Sequence, residues 1–166
     1  MKKELADKIF NDFPDMFKYR DNLQASLMAF GFECSDGWFK LIYDLCNNIN
    51  TFYEGKIPEH FYIQQVKEKF GGLRFYISSA PEEVHDMIHK AEERSYFICE
   101  HCGKEHQPDD GEYTSFYRDD LPWILTLCDE CLDKHIKKRY AKIRKAKEDY
   151  ISDWQKEHKA PFVKGV

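Results

Sequence analysis

No apolar run in the 166-residue sequence approaches the roughly 20 residues that a membrane-spanning helix requires. Met1-Lys2-Lys3-Glu4 leads into mixed polar sequence instead of the apolar stretch of a secretory signal, so a cytoplasmic protein with no membrane partner is expected. There is no internal repeat and no low-complexity tract. There is no phosphate-cradling Gly-rich loop, no Gly-x-Ser-x-Gly elbow and no His-Glu-x-x-His pair. A membrane span, a solenoid and the common hydrolase and nucleotide-binding frameworks are thereby set aside. Glycine and proline are sparse, at eight and six, and they serve as local punctuation.

Aromatics are abundant. Thirteen Phe, ten Tyr and three Trp supply enough large apolar surface for a packed core despite a mean hydropathy of -0.71. The length fits one domain or two small ones. The formal net charge of -5 conceals a split, because Lys134 to Lys147 carries eight Lys/Arg and no acid, leaving -13 on the remainder. The chain reads as an acidic body with one basic helical arm.

The pattern of apolar residues predicts an α+β protein. Lys3 to Phe17 reads as a helix interrupted at Pro14, and Arg20 to Phe30 as a second, shorter one. A clearer helix starts from a cap at Ser35 or Asp36, with Trp38, Leu41, Ile42, Leu45, Ile49 and Phe52 at helical spacing. Phe61 to Ser79 reads as a β-hairpin turning at Gly71-Gly72. That turn pairs Phe70 with Leu73, Lys69 with Arg74, Glu68 with Phe75, Lys67 with Tyr76 and Val66 with Ile77. One face then holds Val66, Phe70, Leu73, Phe75 and Ile77; the other holds Gln65, Lys67, Lys69, Arg74 and Tyr76. Glu68 is the anomaly, a carboxylate on the apolar face, either re-aimed by a bulge or partly buried with a partner. A further helix is expected from Pro81 to Ser95, capped at Ser79 or Ala80, with Val84, Ile88 and Ala91 buried.

Six cysteines in a reducing compartment direct attention to their spacing. Cys99-x-x-Cys102 and Cys128-x-x-Cys131 stand 25 residues apart. Each pair brings two sulfurs to one ion, and together they complete a closed four-thiolate shell, the signature of one structural zinc ion. A redox dithiol would need a thioredoxin-like frame that the pattern lacks, and four-cysteine sites also hold iron–sulfur clusters. The long spacer predicts a loop at Gln107 to Gly111, a strand at Tyr113 to Tyr117, a turn at Arg118 to Asp120 and a strand at Trp123 to Leu127. Gly103 suits a tight knuckle turn, and Cys131 opens into a helix beginning Leu132, Ile136, Tyr140, Ile143. That order looks like a treble-clef zinc finger. Cys34 and Cys46 lie among apolar residues and read as core. His101 and His106 are expected to face solvent, while His135 can donate to a sulfur.

The stripe Ile136, Tyr140, Ile143, Tyr150, Trp154 predicts that the last helix packs, with Lys137, Lys138, Lys142, Arg144 and Lys145 on its far side. The expected organisation is a helical and hairpin lobe over 1–95, a zinc lobe with its long helix over 96–157, and a tail over 158–166.

The motifs DGWFKLI (36–42), QVKEKFGGLRFY (65–76), CEHCG (99–103) and TLCDEC (126–131) together resemble a family of small uncharacterised phage and prophage proteins. The likeness spans about Asp36 to Cys131 and implies an accessory phage gene, without an established reaction. Two functions follow. One is a non-enzymatic zinc protein acting through contact with a host or phage protein. The other is a nucleic-acid binder using the basic helix, with Lys67, Lys69, Arg74 and Tyr76 as an added basic and aromatic patch. A homodimer through the last helix is a further expectation. An enzyme would have to use Glu68 with Lys67, Lys69 and Arg74 as an acid–base cluster.

Overall fold

A computed structural model describes residues 1–106, 116–118 and 124–157. The chain is α+β and divides into two compact units, Met1–Cys128 and a second that begins at Asp129. The first unit contains helices α1 (Lys3–Asp12), α2 (Phe39–Phe52) and α3 (Glu82–Ser95), with strands β1 (Ile63–Lys69), β2 (Gly72–Ile77), β3 (Tyr117–Arg118) and β4 (Leu125–Thr126). Among the described residues, the second holds α4 (Asp129–Glu157).

The core forms where the apolar stripes of α1, α2 and α3 meet one face of the β1–β2 hairpin. Ile9, Trp38, Ile42, Ile49, Phe61, Val66, Leu73 and Val84 are fully buried there. Each such side chain contributes about 1.5–3 kcal/mol of transfer free energy. Pro14, which has no N–H to continue α1, starts a separate 3₁₀ turn, Pro14–Phe17. Neither Ser35 nor Asp36 caps α2 through its side chain. The Asp36 carboxylate instead accepts the Lys2 backbone N–H at 2.7 Å and pairs with the Lys2 ammonium at 3.0 Å.

No helix forms over Arg20 to Phe30 beyond a short 3₁₀ turn, Met28–Phe30. The local hydrogen-bonding groups are used elsewhere. The Asn22 side chain accepts the Gln24 N–H at 3.0 Å, the Leu27 N–H donates to the Gln64 carbonyl at 2.7 Å, and the Ser26 hydroxyl donates to the Ile63 carbonyl at 3.0 Å. The segment thus covers the outer edge of β1. Glu33 extends the cover by accepting the Glu68 N–H at 2.9 Å and donating to the Val66 carbonyl at 3.0 Å.

The turn falls one residue earlier than expected, which shifts the hairpin pairing by two residues and leaves each side chain of β1 on its expected face. Lys69 pairs with Gly72, Glu68 with Leu73, Lys67 with Arg74, Val66 with Phe75 and Gln65 with Tyr76, with a bulge between Ile63 and Gln65. The turn is Phe70-Gly71, with φ of 55° and 76°. Gly72 has a different task, since a Cβ there would lie 2.4 Å from the Tyr96 hydroxyl oxygen. The paired glycines therefore divide the work: Gly71 supplies the left-handed backbone and Gly72 the room beside Tyr96. Phe70 moves off the apolar face into the turn and is exposed.

Glu68 stays on the apolar face, half-buried, and its partner is the Gly71 N–H at 2.6 Å. Burial pushes this carboxyl up from its ordinary range, opposed by the Gly71 N–H; nearby Glu100 adds to the rise and Arg74 reduces it. The outer edge of β2 is closed by α3. The Leu73 N–H donates to the Ser95 hydroxyl oxygen at 2.9 Å and the Phe75 N–H to a Glu92 carboxylate oxygen at 2.9 Å. With both edges covered, the two-stranded sheet offers no free ladder for further pairing. The cap of α3 is Pro81, not Ser79 or Ala80, and no side chain bonds there.

Arg118, expected in a turn, lies in the β3–β4 ladder opposite Leu125, and Tyr117 opposite Thr126. The loop at 107–111, most of the strand expected over 113–117, and Trp123 lie outside the described residues. In the second unit, the packed stripe expected of α4 is not found. Ile136 is partly buried, but Tyr140, Ile143 and Tyr150 are 70%, 55% and 72% exposed. The Trp154 side chain is outside what is described. No helix of the described residues is long and apolar enough to cross a membrane.

Gly72→Ala is expected to lower stability by about 1–3 kcal/mol through the Tyr96 overlap. In Tyr96→Ala the same change should cost much less, and equal losses in the two backgrounds, measured by denaturant unfolding, would contradict the close-approach role of Gly72.

Candidate metal centre

Trp38, at the head of α2, sets the position of the first cysteine pair. Its buried indole N–H donates to the Ile98 carbonyl at 2.9 Å, one residue before Cys99. Ile98 also bridges to Glu105, and the chain between them folds into a knuckle. Within it the Cys99 N–H donates to the Lys104 carbonyl at 2.9 Å and the Gly103 N–H to the Cys99 carbonyl at 2.9 Å. Gly103 has φ of 74°, which suits glycine.

The knuckle sits directly on the backbone of Gly37. A Cβ at Gly37 would come within 2.2–2.5 Å of the Cys99 and Glu100 carbonyl oxygens and the Gly103 nitrogen. All three are backbone atoms, so nothing there can swing aside. Glu100 locks the contact from three sides. Its carbonyl accepts the Gly37 N–H at 2.7 Å, its carboxylate accepts the Ser35 N–H at 2.8 Å, and its own N–H donates to the Thr126 carbonyl at 2.9 Å. Thr126 is buried in β4, and its hydroxyl donates to the Gly71 carbonyl in the hairpin turn. The second cysteine pair follows two residues later, with Cys131 in the first turn of α4.

The sulfurs of Cys99, Cys102, Cys128 and Cys131 lie within 4.8 Å of one another. All are free thiols, and the Cys102 and Cys128 sulfurs are 3.7 Å apart. A tetrahedron with metal–sulfur bonds of about 2.3 Å has edges of about 3.8 Å, so this spacing suits a shared ion and is far longer than a disulfide. Cys99, Cys128 and Cys131 are buried and Cys102 is exposed. Burial pushes the Cys99 thiol up, while the backbone N–H groups of Cys128, Cys102 and His101 favour its thiolate. The first turn of α4 adds the positive end of a helix dipole at Cys131. The four-cysteine group could hold a metal ion.

Comparison with family models, with curated proteins and with solved structures gives no match.

The other cysteines are core residues. Cys34 and Cys46 are buried, and burial pushes the Cys34 thiol up to about 12 and Cys46 further. His101 is exposed as expected. His106 is half-buried instead, its ring edge-on to Phe116 at 5.6 Å, a contact that the loop sequence did not announce. His135 lies half-buried one turn beyond Cys131.

The basic and aromatic residues fall in two places. Lys67, Arg74 and Tyr76 share the outer hairpin face, with the Lys67 ammonium 5.6 Å from the Tyr76 ring centre. Lys67 and Tyr76 border an open groove of about 400 Å³ whose walls include Leu23, Leu27 and Gln64. Lys69 is exposed near the turn, its ammonium over the Phe70 ring. Arg74 is held inward by the Leu73 carbonyl at 2.7 Å and the Tyr96 hydroxyl at 3.4 Å. Lys137, Lys138, Lys142, Arg144 and Lys145 are all exposed on α4.

Gly37, Glu100 and Thr126 organise the site without bearing ligand atoms. Gly37 lies within the DGWFKLI string, but nothing in the sequence singled it out or paired it with the knuckle. Gly37→Ala is expected to weaken metal binding by about 10–100-fold, as loss of support behind metal ligands generally does. Competition with a chelator measures this, and unchanged affinity with a folded protein would contradict the seating of the knuckle on Gly37.

Proposed function

We propose that Cys99, Cys102, Cys128 and Cys131 hold one structural zinc ion, and that the chain is a non-enzymatic binding protein stapled by it. The observation that supports this is the convergence of four sulfurs on one point. A shell of four thiolates leaves zinc no open position for water or substrate, so the ion's contribution is folding free energy and not Lewis-acid chemistry. The order of knuckle, β3–β4 pair and helix carrying the last cysteine supports a treble-clef arrangement. The partner is a protein of the host or the phage, as the motif resemblance suggests, and the acidic body suits a basic target surface. The exposed Leu23, Leu27 and Tyr76 around the hairpin groove are available for contact.

The purified chain should carry one equivalent of zinc, and Cys131→Ser should lose it and melt at lower temperature. Full zinc content and unchanged melting in that variant would contradict a four-cysteine site.

A second reading, nucleic-acid binding, is favoured by one observation: the five exposed Lys and Arg of α4. The charge of -13 outside the basic stretch opposes it. Anisotropy with a labelled 20-base-pair duplex is expected to give a Kd weaker than about 10 μM at physiological salt. Micromolar or tighter binding with a steep fall across a salt series would move the conclusion to nucleic acid.

A further inference from the structure

Helix α4 is 29 residues, about 43 Å long at 1.5 Å per residue, and its apolar positions repeat with an unusual regularity. Ile136, Tyr140, Ile143 and Tyr150 fall at alternating steps of four and three, once Lys147 is counted at the intervening seam position. Trp154 follows in the same register. That is the 3.5-residue period of a seam between two helices. Tyr140, Ile143 and Tyr150 are each more than half exposed. Helices gain most of their stability from covering such a face, and this one is left open.

Charge along the same helix is segregated by position. The stretch 134–147 has eight Lys/Arg and no acid, whereas 148–157 has Glu148, Asp149, Asp153 and Glu157 against Lys156 alone. Two such helices side by side in parallel would set eight bases against eight. Reversed about residue 145, Lys134 to Lys142 of each copy lies along Glu148 to Lys156 of the other, and only residues 143–147 meet their own counterparts.

We propose that α4 pairs antiparallel with α4 of a second copy of this chain, centred near Arg144 and Lys145. Tyr140 of one copy then faces Tyr150 of the other, and Ile143 faces Lys147, twice by symmetry. A lysine at one seam position lowers stability but disfavours other registers. The hydrophobic seam supplies the attraction and the charge blocks choose the direction. The pairing does not depend on which metal the cysteines hold, because the seam begins beyond Cys131.

Sedimentation equilibrium on the full metal-loaded chain tests this. At tens of micromolar the expected mass is about twice the 19.9 kDa of one chain. The double variant Ile143→Asp with Tyr150→Asp should be monomeric while keeping its metal, which separates loss of the seam from loss of the fold. A second variant, Glu148→Gln with Asp149→Asn and Asp153→Asn, leaves the seam intact and should weaken the dimer about tenfold at low salt. Tighter association in that variant would mean parallel helices and would overturn the proposal. So would a wild-type monomer at about 100 μM, with the stripe covered by the chain's own acidic surface, or a dimer that the double variant leaves intact.

Discussion

Four cysteine sulfurs converge on one point, and if ionised they would need a cation among them. Placing four sulfurs within 4.8 Å of one another is unfavourable for ionised cysteines and of little use for protonated ones. Backbone N–H groups aimed at Cys99 favour its anionic form and resist the desolvation that raises it. The loop geometry around residues 98–105 suits a frame for an ion, because its backbone hydrogen bonds fix the positions of Cys99 and Cys102.

That frame is fastened to the core by backbone contacts. Gly37 and Gly103 meet without side chains between them, Trp38 holds the Ile98 carbonyl, and Glu100 ties residues 35, 37 and 126 together. The same Thr126 reaches the hairpin turn at Gly71, where the Glu68 carboxylate also bonds. The knuckle, α2 and the β1–β2 turn are thus one connected hydrogen-bonded region, and the half-buried Glu68 and the buried Glu100 are structural members of it. This gives Glu68 a role that requires no chemistry.

The four-cysteine cluster was legible in the sequence because two Cys-x-x-Cys pairs so spaced have few uses other than holding one ion. The helical stripes of α1, α2 and α3 were legible for a similar reason, since 3.6-residue periodicity reports burial directly. The hairpin was found but its register was not. Two adjacent glycines invite placement at the turn, and only the position of Tyr96, twenty-four residues away, reveals that Gly72 is needed for clearance. Arg20 to Phe30 has a passable helical pattern, but Leu27 and Ser26 bond to β1 residues that no local signal names. Gly37 and Glu100 act through contacts across some sixty residues, invisible to any pattern within one segment.

Helix α4 is where local pattern and fold part most clearly: a stripe that reads as core is exposed, and the charges on it are sorted along the axis. The metal centre remains the central claim. X-ray absorption at the zinc edge of the purified chain tests it most directly. The account predicts a first shell of four sulfurs at about 2.3 Å and no nitrogen or oxygen. A shell containing histidine nitrogen or a water oxygen, or no zinc signal at all, would contradict it.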